Sequence, residues 1–159
     1  MVMPDVPDAP EAPYALARLP GEMPRSRLLW QGQDTGVELD GVALVHQGVV
    51  SAGMLLFITE DCPYEEALHV YLVGPDHRVR DALEIGAPYV PGLLTQVQWL
   101  GGDEVSFVFP ADEHWRLRVA PEPRRRWRWP GLPGVRHPGA WWRPTCLHLV
   151  RQDEGRPVP

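Results

Sequence analysis

Apolar and polar residues alternate with period two through residues 96–119. Val97, Trp99, Val105, Phe107, Phe109, Trp115, Leu117 and Val119 hold the apolar positions, with Gln98, Ser106, Arg116 and Arg118 between them. Such alternation puts one face of a strand in a core and the other in water. Gly101-Gly102 offers the positive φ of a tight turn, and residues 110–113 form a polar break before a third strand. The stretch predicts a three-stranded antiparallel meander around which the chain is built, with Arg116 and Arg118 facing water.

The same grammar recurs upstream. Residues 37–46 read as a hairpin closed at Asp40-Gly41, and Leu28-Leu29-Trp30 as an entry into the core. The continuous apolar run 54–58 suits a strand buried on both faces. Residues 68–73 return to strand alternation, residues 74–77 form a turn, and residues 79–85 are the partner strand. A Pro/Gly loop over 86–92 leads into the meander.

Three stretches read differently. Residues 60–66 carry helix punctuation: Asp61 as cap, Pro63 in the first turn, and Glu65 and Glu66 beside the N-terminal positive end. About one helical turn fits there. Residues 14–19 suit a turn or short edge strand, but read first as a tail draped over the body. After Val119, Pro121 and Pro123 break the sheet, residues 124–129 alternate weakly, and residues 130–139 exclude regular structure. Residues 145–150 are a last strand.

The expected fold is mostly β. It is one antiparallel meander-type barrel or sandwich of about nine or ten short strands, with at most one or two helical turns. A barrel is favoured because closure removes edges. The expected organisation is a Pro-rich arm over 1–26, a β domain over 27–151 that includes an irregular Arg/Trp/Pro segment at 121–144, and a flexible tail over 152–159. No 40-residue repeat supports a propeller.

Composition sharpens this outline. The chain has 159 residues and 19 prolines, roughly twice the average usage of about 5%. The prolines gather at the ends and in 121–144, which fits a β centre with stiff flanks. All 15 basic residues are arginine. No lysine is available for a Schiff base or a P-loop. The first 13 residues are acidic and Pro-rich rather than signal-like, and no apolar run is long enough to span a bilayer. A cytoplasmic location with free thiols at Cys62 and Cys146 is expected.

The net charge of −6 conceals a split. Residues 1–121 hold 18 acids and 7 arginines (−11), residues 122–143 hold 1 acid and 6 arginines (+5), and residues 144–159 balance at 2 of each. The basic stretch also carries Trp127, Trp129, Trp141 and Trp142. Arg124, Arg125, Arg126, Arg128 and Arg143 could grip phosphate, and the indoles could stack on bases, as in single-strand binders. Alternatively the indoles face a core and the arginines meet the acidic body, within one chain or between two. The chain's overall acidity opposes nucleic acid.

Cys62, His69, Cys146 and His148 are weak candidates for a zinc site, on condition that residues 68–73 pair with 145–150. Their spacing matches no standard signature, and no metal or other cofactor is assigned. Cys62 near His69 has residue types of a thiol nucleophile, but Glu60 and Asp61 beside it disfavour the thiolate. No local hydrolase, nucleotide-binding or metalloprotease motif is present. His46, His77, His114 and His137 are expected in solvent, and Asp103, Glu104, Asp112 and Glu113 along a rim of the meander. The expected function is therefore a non-catalytic binding module, holding an apolar small molecule in a barrel or a protein partner on its surface. Self-association through residues 122–143 is expected, and no membrane partner. Single-strand nucleic-acid binding and an enzyme without a local motif are the alternatives.

Overall fold

The computed structural model describes residues 13–61, 65–88, 92–125, 132–138 and 143–152. Among them are twelve strands and no helix. In chain order they are β1 (Tyr14–Arg18), β2 (Arg25–Trp30), β3 (Gln33–Asp40), β4 (Ala43–Val50), β5 (Gly53–Thr59), β6 (Glu65–Val73), β7 (Val79–Pro88), β8 (Thr95–Gly101), β9 (Glu104–Val108), β10 (His114–Arg124), β11 (Val135–Arg136) and β12 (Thr145–Gln152). They form three antiparallel sheets with orders β1-β2-β3, β12-β10-β9-β8 and β11-β7-β6-β5-β4.

The meander forms as its alternation predicts. β8, β9 and β10 pair in succession, and the turn between β8 and β9 places Gly101, Gly102 and Asp103 at φ of 81°, 58° and 61°. Val105, Phe107, Trp115, Leu117 and Val119 are buried. They meet Leu55, Phe57, Leu68, Val70, Leu72, Leu83 and Ile85 of the five-stranded sheet in one core. A second core lies on that sheet's other face. There Leu56, Ile58, Tyr71 and Val73 pack against Tyr14, Leu28 and Leu39 of the three-stranded sheet. The five-stranded sheet is thus the middle of three layers.

Among the described residues no sheet closes into a barrel, which corrects the expected preference. A barrel wall buries one face of each strand, whereas Leu55, Leu56, Phe57 and Ile58 are all fully buried. The double burial expected for residues 54–58 is met, and it is satisfied by a layer on each side.

Several local expectations change. Residues 37–46 are not a hairpin, because β3 pairs with β2 and β4 with β5. Asp40-Gly41 instead carries the chain between two layers. Gly41 has φ +97°, its N–H donates to Pro24 O at 2.6 Å, and a Cβ there would lie 2.4 Å from Ile58 Cγ2. The hairpin lies earlier, where Gln31 (φ 48°) and Gly32 (φ 80°) join β2 to β3 with the two positive φ values that match strand twist.

Tyr14 to Arg18 is a strand paired with β2 along its length, not a draped tail, because the Tyr14 ring is buried in the second core. Of the stretch expected to form a helical turn, residues 62–64 lie outside the described residues. Asp61 sits at φ 55°, its N–H donates to Glu66 Oε1 at 3.1 Å, and Glu65 already belongs to β6. Pro121 and Pro123 do not end the sheet, since β10 runs to Arg124 with an irregular register after Val119. Pairing with β9 ends at Arg118, so beyond it one side of β10 is an edge where a missing N–H costs little. Within the stretch read as irregular, Val135 and Arg136 pair with Ile85 and Glu84 of β7.

Trp99 leaves the core face of the meander. It is 37% exposed, lies over Gly48 of β4, and donates its indole N–H to His46 Nε2 at 3.0 Å. Arg116 and Arg118 do not merely face water, as both reach Glu104 across β9. His46, His77, His114 and His137 are each partly buried rather than solvent-exposed. Of the expected rim acids, Asp103 accepts the Ser51 N–H at 3.0 Å and Glu113 pairs with Arg151 at 3.3 Å.

Candidate functional site: a cleft at the junction of the sheets

A cleft of about 370 Å³ opens where the three layers approach one another. Arg25 and Asp40 come from the three-stranded sheet, Tyr71, Arg80 and Asp81 from the middle sheet, and Arg143 from the approach to β12. Each arrives for a local reason. Tyr71 lies in the doubly buried β6, so its ring fills the second core while its hydroxyl reaches the cleft. Asp40 ends β3 at the layer crossing, and its N–H donates to Tyr71 Oη at 3.0 Å. Burial is the main reason that the Tyr71 phenol is pushed up to about 12.

The acids of the cleft are already engaged. Arg25 pairs with Glu38 at 3.2 Å and with Asp40 at 3.3 Å. Asp81 Oδ2 accepts the N–H groups of Cys146 and Leu147, at 2.8 and 2.9 Å. Arg80 donates one N–H to Ala52 O at 3.0 Å. Behind Tyr71 and stacked on it, buried His69 lies between two carboxylates, with Nε2 2.9 Å from Glu60 and Nδ1 3.6 Å from Glu84. Arg136 reaches Glu84 at 2.6 Å, and that carboxylate raises the Arg136 guanidinium pKa.

Two of the described arginines of the basic segment lie beside acids of the body. Arg136 pairs with Glu84, and Arg143 lines the cleft beside Glu38, Asp40 and Asp81. Arg124 and Arg125 are exposed at the end of β10, and Arg124 stands opposite Thr145, itself a wall of the cleft. The fold therefore brings the two ends of the segment together. Arg126, Trp127, Arg128, Trp129, Trp141 and Trp142 lie outside the described residues.

The Cys/His set is not assembled. Residues 68–73 and 145–150 belong to β6 and β12, which lie in different sheets and do not pair. His69 engages Glu60 and Glu84, Cys146 and His148 are buried on β12, and Cys62 lies outside the described residues. No group of three potential metal ligands occurs among the described residues. Burial first, and then the Asp81 carboxylate, push the Cys146 thiol up, away from a reactive thiolate.

Sequence reasoning missed Arg25, Asp40, Tyr71, Arg80 and Asp81 because five strand positions far apart in the chain carry no local motif. A signal was present in Asp81 and Tyr71, whose polar atoms sit inside runs that the pattern buries. Such atoms require partners, and those partners converge on one place. No known protein family, curated protein or solved structure matches the chain.

Proposed function

We propose that the protein is a non-catalytic binding module whose cleft takes a small anionic molecule bearing a carboxylate or a phosphate. The observation that carries this reading is that Arg25, Arg80 and Arg143 line one cleft together with Tyr71. Guanidinium groups suit planar, bidentate recognition of such anions, and a phenol that stays protonated is a hydrogen-bond donor. The volume falls within the range of about 300–1,000 Å³ usual for small-ligand sites. A charged lining favours this ligand over the apolar one expected from the sequence. Raised pKa values at Tyr71 and Cys146 support binding over nucleophilic chemistry.

The test is thermal unfolding with acetate, succinate and inorganic phosphate as probes. A ligand at about 100 times its Kd stabilises by about 2.7 kcal/mol, which shifts the Tm of a domain this size by several degrees. The expected result is a saturable rise for one probe that is lost in Arg80→Gln and Arg143→Gln. Succinate against phosphate separates the two anion chemistries. If no probe shifts the wild type more than it shifts the two variants, the reading fails.

A further inference from the structure

Strand register lines up three chemically active side chains across the middle sheet. His69 of β6 stands opposite Glu84 of β7, and Glu84 stands opposite Arg136 of β11. Directly opposed residues share one face, so the three form a row. His69 is only 4% exposed and meets an acid at each ring nitrogen. Nε2 is 2.9 Å from Glu60 Oε1, and Nδ1 is 3.6 Å from Glu84 Oε2. That same Oε2 accepts from Arg136 at 2.6 Å. One carboxylate oxygen therefore stands between a histidine and an arginine.

An ionised carboxylate only accepts, so the short contact to Glu60 puts the N–H of a neutral ring on Nε2. Nδ1 then turns a lone pair toward Glu84, in keeping with the longer distance there, and Glu84 is left to Arg136. A second proton makes Nδ1 a donor aimed at the oxygen that Arg136 holds. It also sets a second positive charge beside the guanidinium. Around the ring, Tyr71 stacks on it with 17° between the planes, and Ile58 stands opposite on β5. A Cβ on Gly41 would lie 3.5 Å from its Cδ2. Asp40, itself paired with Arg25, favours the charged form of Arg136 from the cleft side. His137, the next residue after Arg136, is the other titratable neighbour on that segment.

The Arg136–Glu84 pair matters because β11 is only 2 residues long. Besides that pair, the Gly86 N–H donates to Gly134 O at 2.8 Å, and Val135 packs against the first core. Pro138, shortly beyond, is a wall of the cleft.

We propose that His69 is a proton-operated switch on the clasp between β11 and β7. With His69 neutral, Arg136 has Glu84 to itself and β11 is held. On proton uptake the imidazolium competes for Glu84 Oε2, loosens Arg136 and frees β11 together with the cleft wall beyond it. Imidazole suits this role because it ordinarily titrates at about 6.5. Proton binding at His69 and docking of β11 then oppose one another reciprocally. The switch acts on a wall of the cleft, so it stands whichever ligand the cleft takes.

The Gly86 amide reports on the clasp, because its acceptor belongs to the segment that the clasp holds. The test follows its hydrogen-exchange protection, corrected for the intrinsic rate, in the full chain at about pH 8 and about pH 5.5, either side of the ordinary imidazole value. The expected result is a fall of about fivefold or more toward acid in the wild type, the low end of coupling between two sites. His69→Gln keeps an N–H for Glu60 but takes no proton, so its protection should not change with pH. Arg136→Gln, at an exposed side chain that does not threaten folding, should show low protection at both values. A wild type without the fall overturns the proposal. So does an equal fall in His69→Gln, which assigns the effect to another group such as His137. Wild-type protection in Arg136→Gln at the higher pH also overturns it, since the clasp then does not hold β11.

Discussion

Asp81 Oδ2 lies 2.8 Å from the backbone nitrogen of Cys146 and joins the middle sheet to the last strand of the four-stranded one. The same oxygen accepts the Leu147 N–H at 2.9 Å, and Oδ1 accepts the Ala82 N–H at 2.8 Å. The need arises from the irregular register between Val119 and Arg124, which interrupts the β10–β12 ladder beside these donors. Replacing Asp81 by Ala strands both N–H groups, at a cost of about 2–4 kcal/mol, and Asn should cost less because it keeps an acceptor. Urea unfolding at constant m-value checks both.

Two glycines separate a rigid obstacle from a movable one. A Cβ on Gly53, at φ +144°, would lie 2.0 Å from Val73 O. Gly53→Ala should destabilise on the order of 3 kcal/mol, because backbone must shift. On Gly48 the obstacle is Trp99 Cζ2 at 2.1 Å, the far end of a side chain already 37% exposed. Gly48→Ala should cost about 1 kcal/mol and break the indole bond to His46, seen as a red shift in Trp emission.

Hydrogen bonds from Arg116 and then Arg118 lower the Glu104 carboxyl from its ordinary value. A depressed folded-state value adds stability above the ordinary value of 4.5 and loses it as pH falls through the folded one. Thermal unfolding of wild type and Glu104→Gln between pH 6 and pH 2 should converge at the acid end. A constant gap between the two curves counts against the pairing.

Tyr71 has the opposite sign. Its phenol is raised to about 12 in the folded chain, so its contribution is complete below the ordinary value of 10.0 and is lost as pH rises through 12. Tyr71→Phe should flatten the alkaline limb of stability and remove the acceptor of the Asp40 N–H, costing about 1 kcal/mol near neutrality. Absorbance titration at 295 nm should show a tyrosine ionising at about 12 that the variant lacks.

Pattern alone reaches the strands and stops at their partners. Residues 54–58 announce double burial, and residues 96–119 announce a meander, because each depends on neighbours in the chain. The Asp40-Gly41 signal correctly marks a positive φ, yet β2 claims β3 first through Gln31-Gly32, a turn whose residue types are less distinctive. Tyr14 reads as part of a tail because its burial depends on Leu28 and Leu39, residues brought beside it only by folding. The candidate cleft is the extreme case, since its walls come from positions 25 to 145.

β5 supplies Leu55 and Phe57 to one core and Leu56 and Ile58 to the other. Neither outer layer can therefore come away without uncovering one side of a strand that the remaining layer still holds. The molecule should melt as a single event, and slow amide exchange in β5 should report the whole rather than either half.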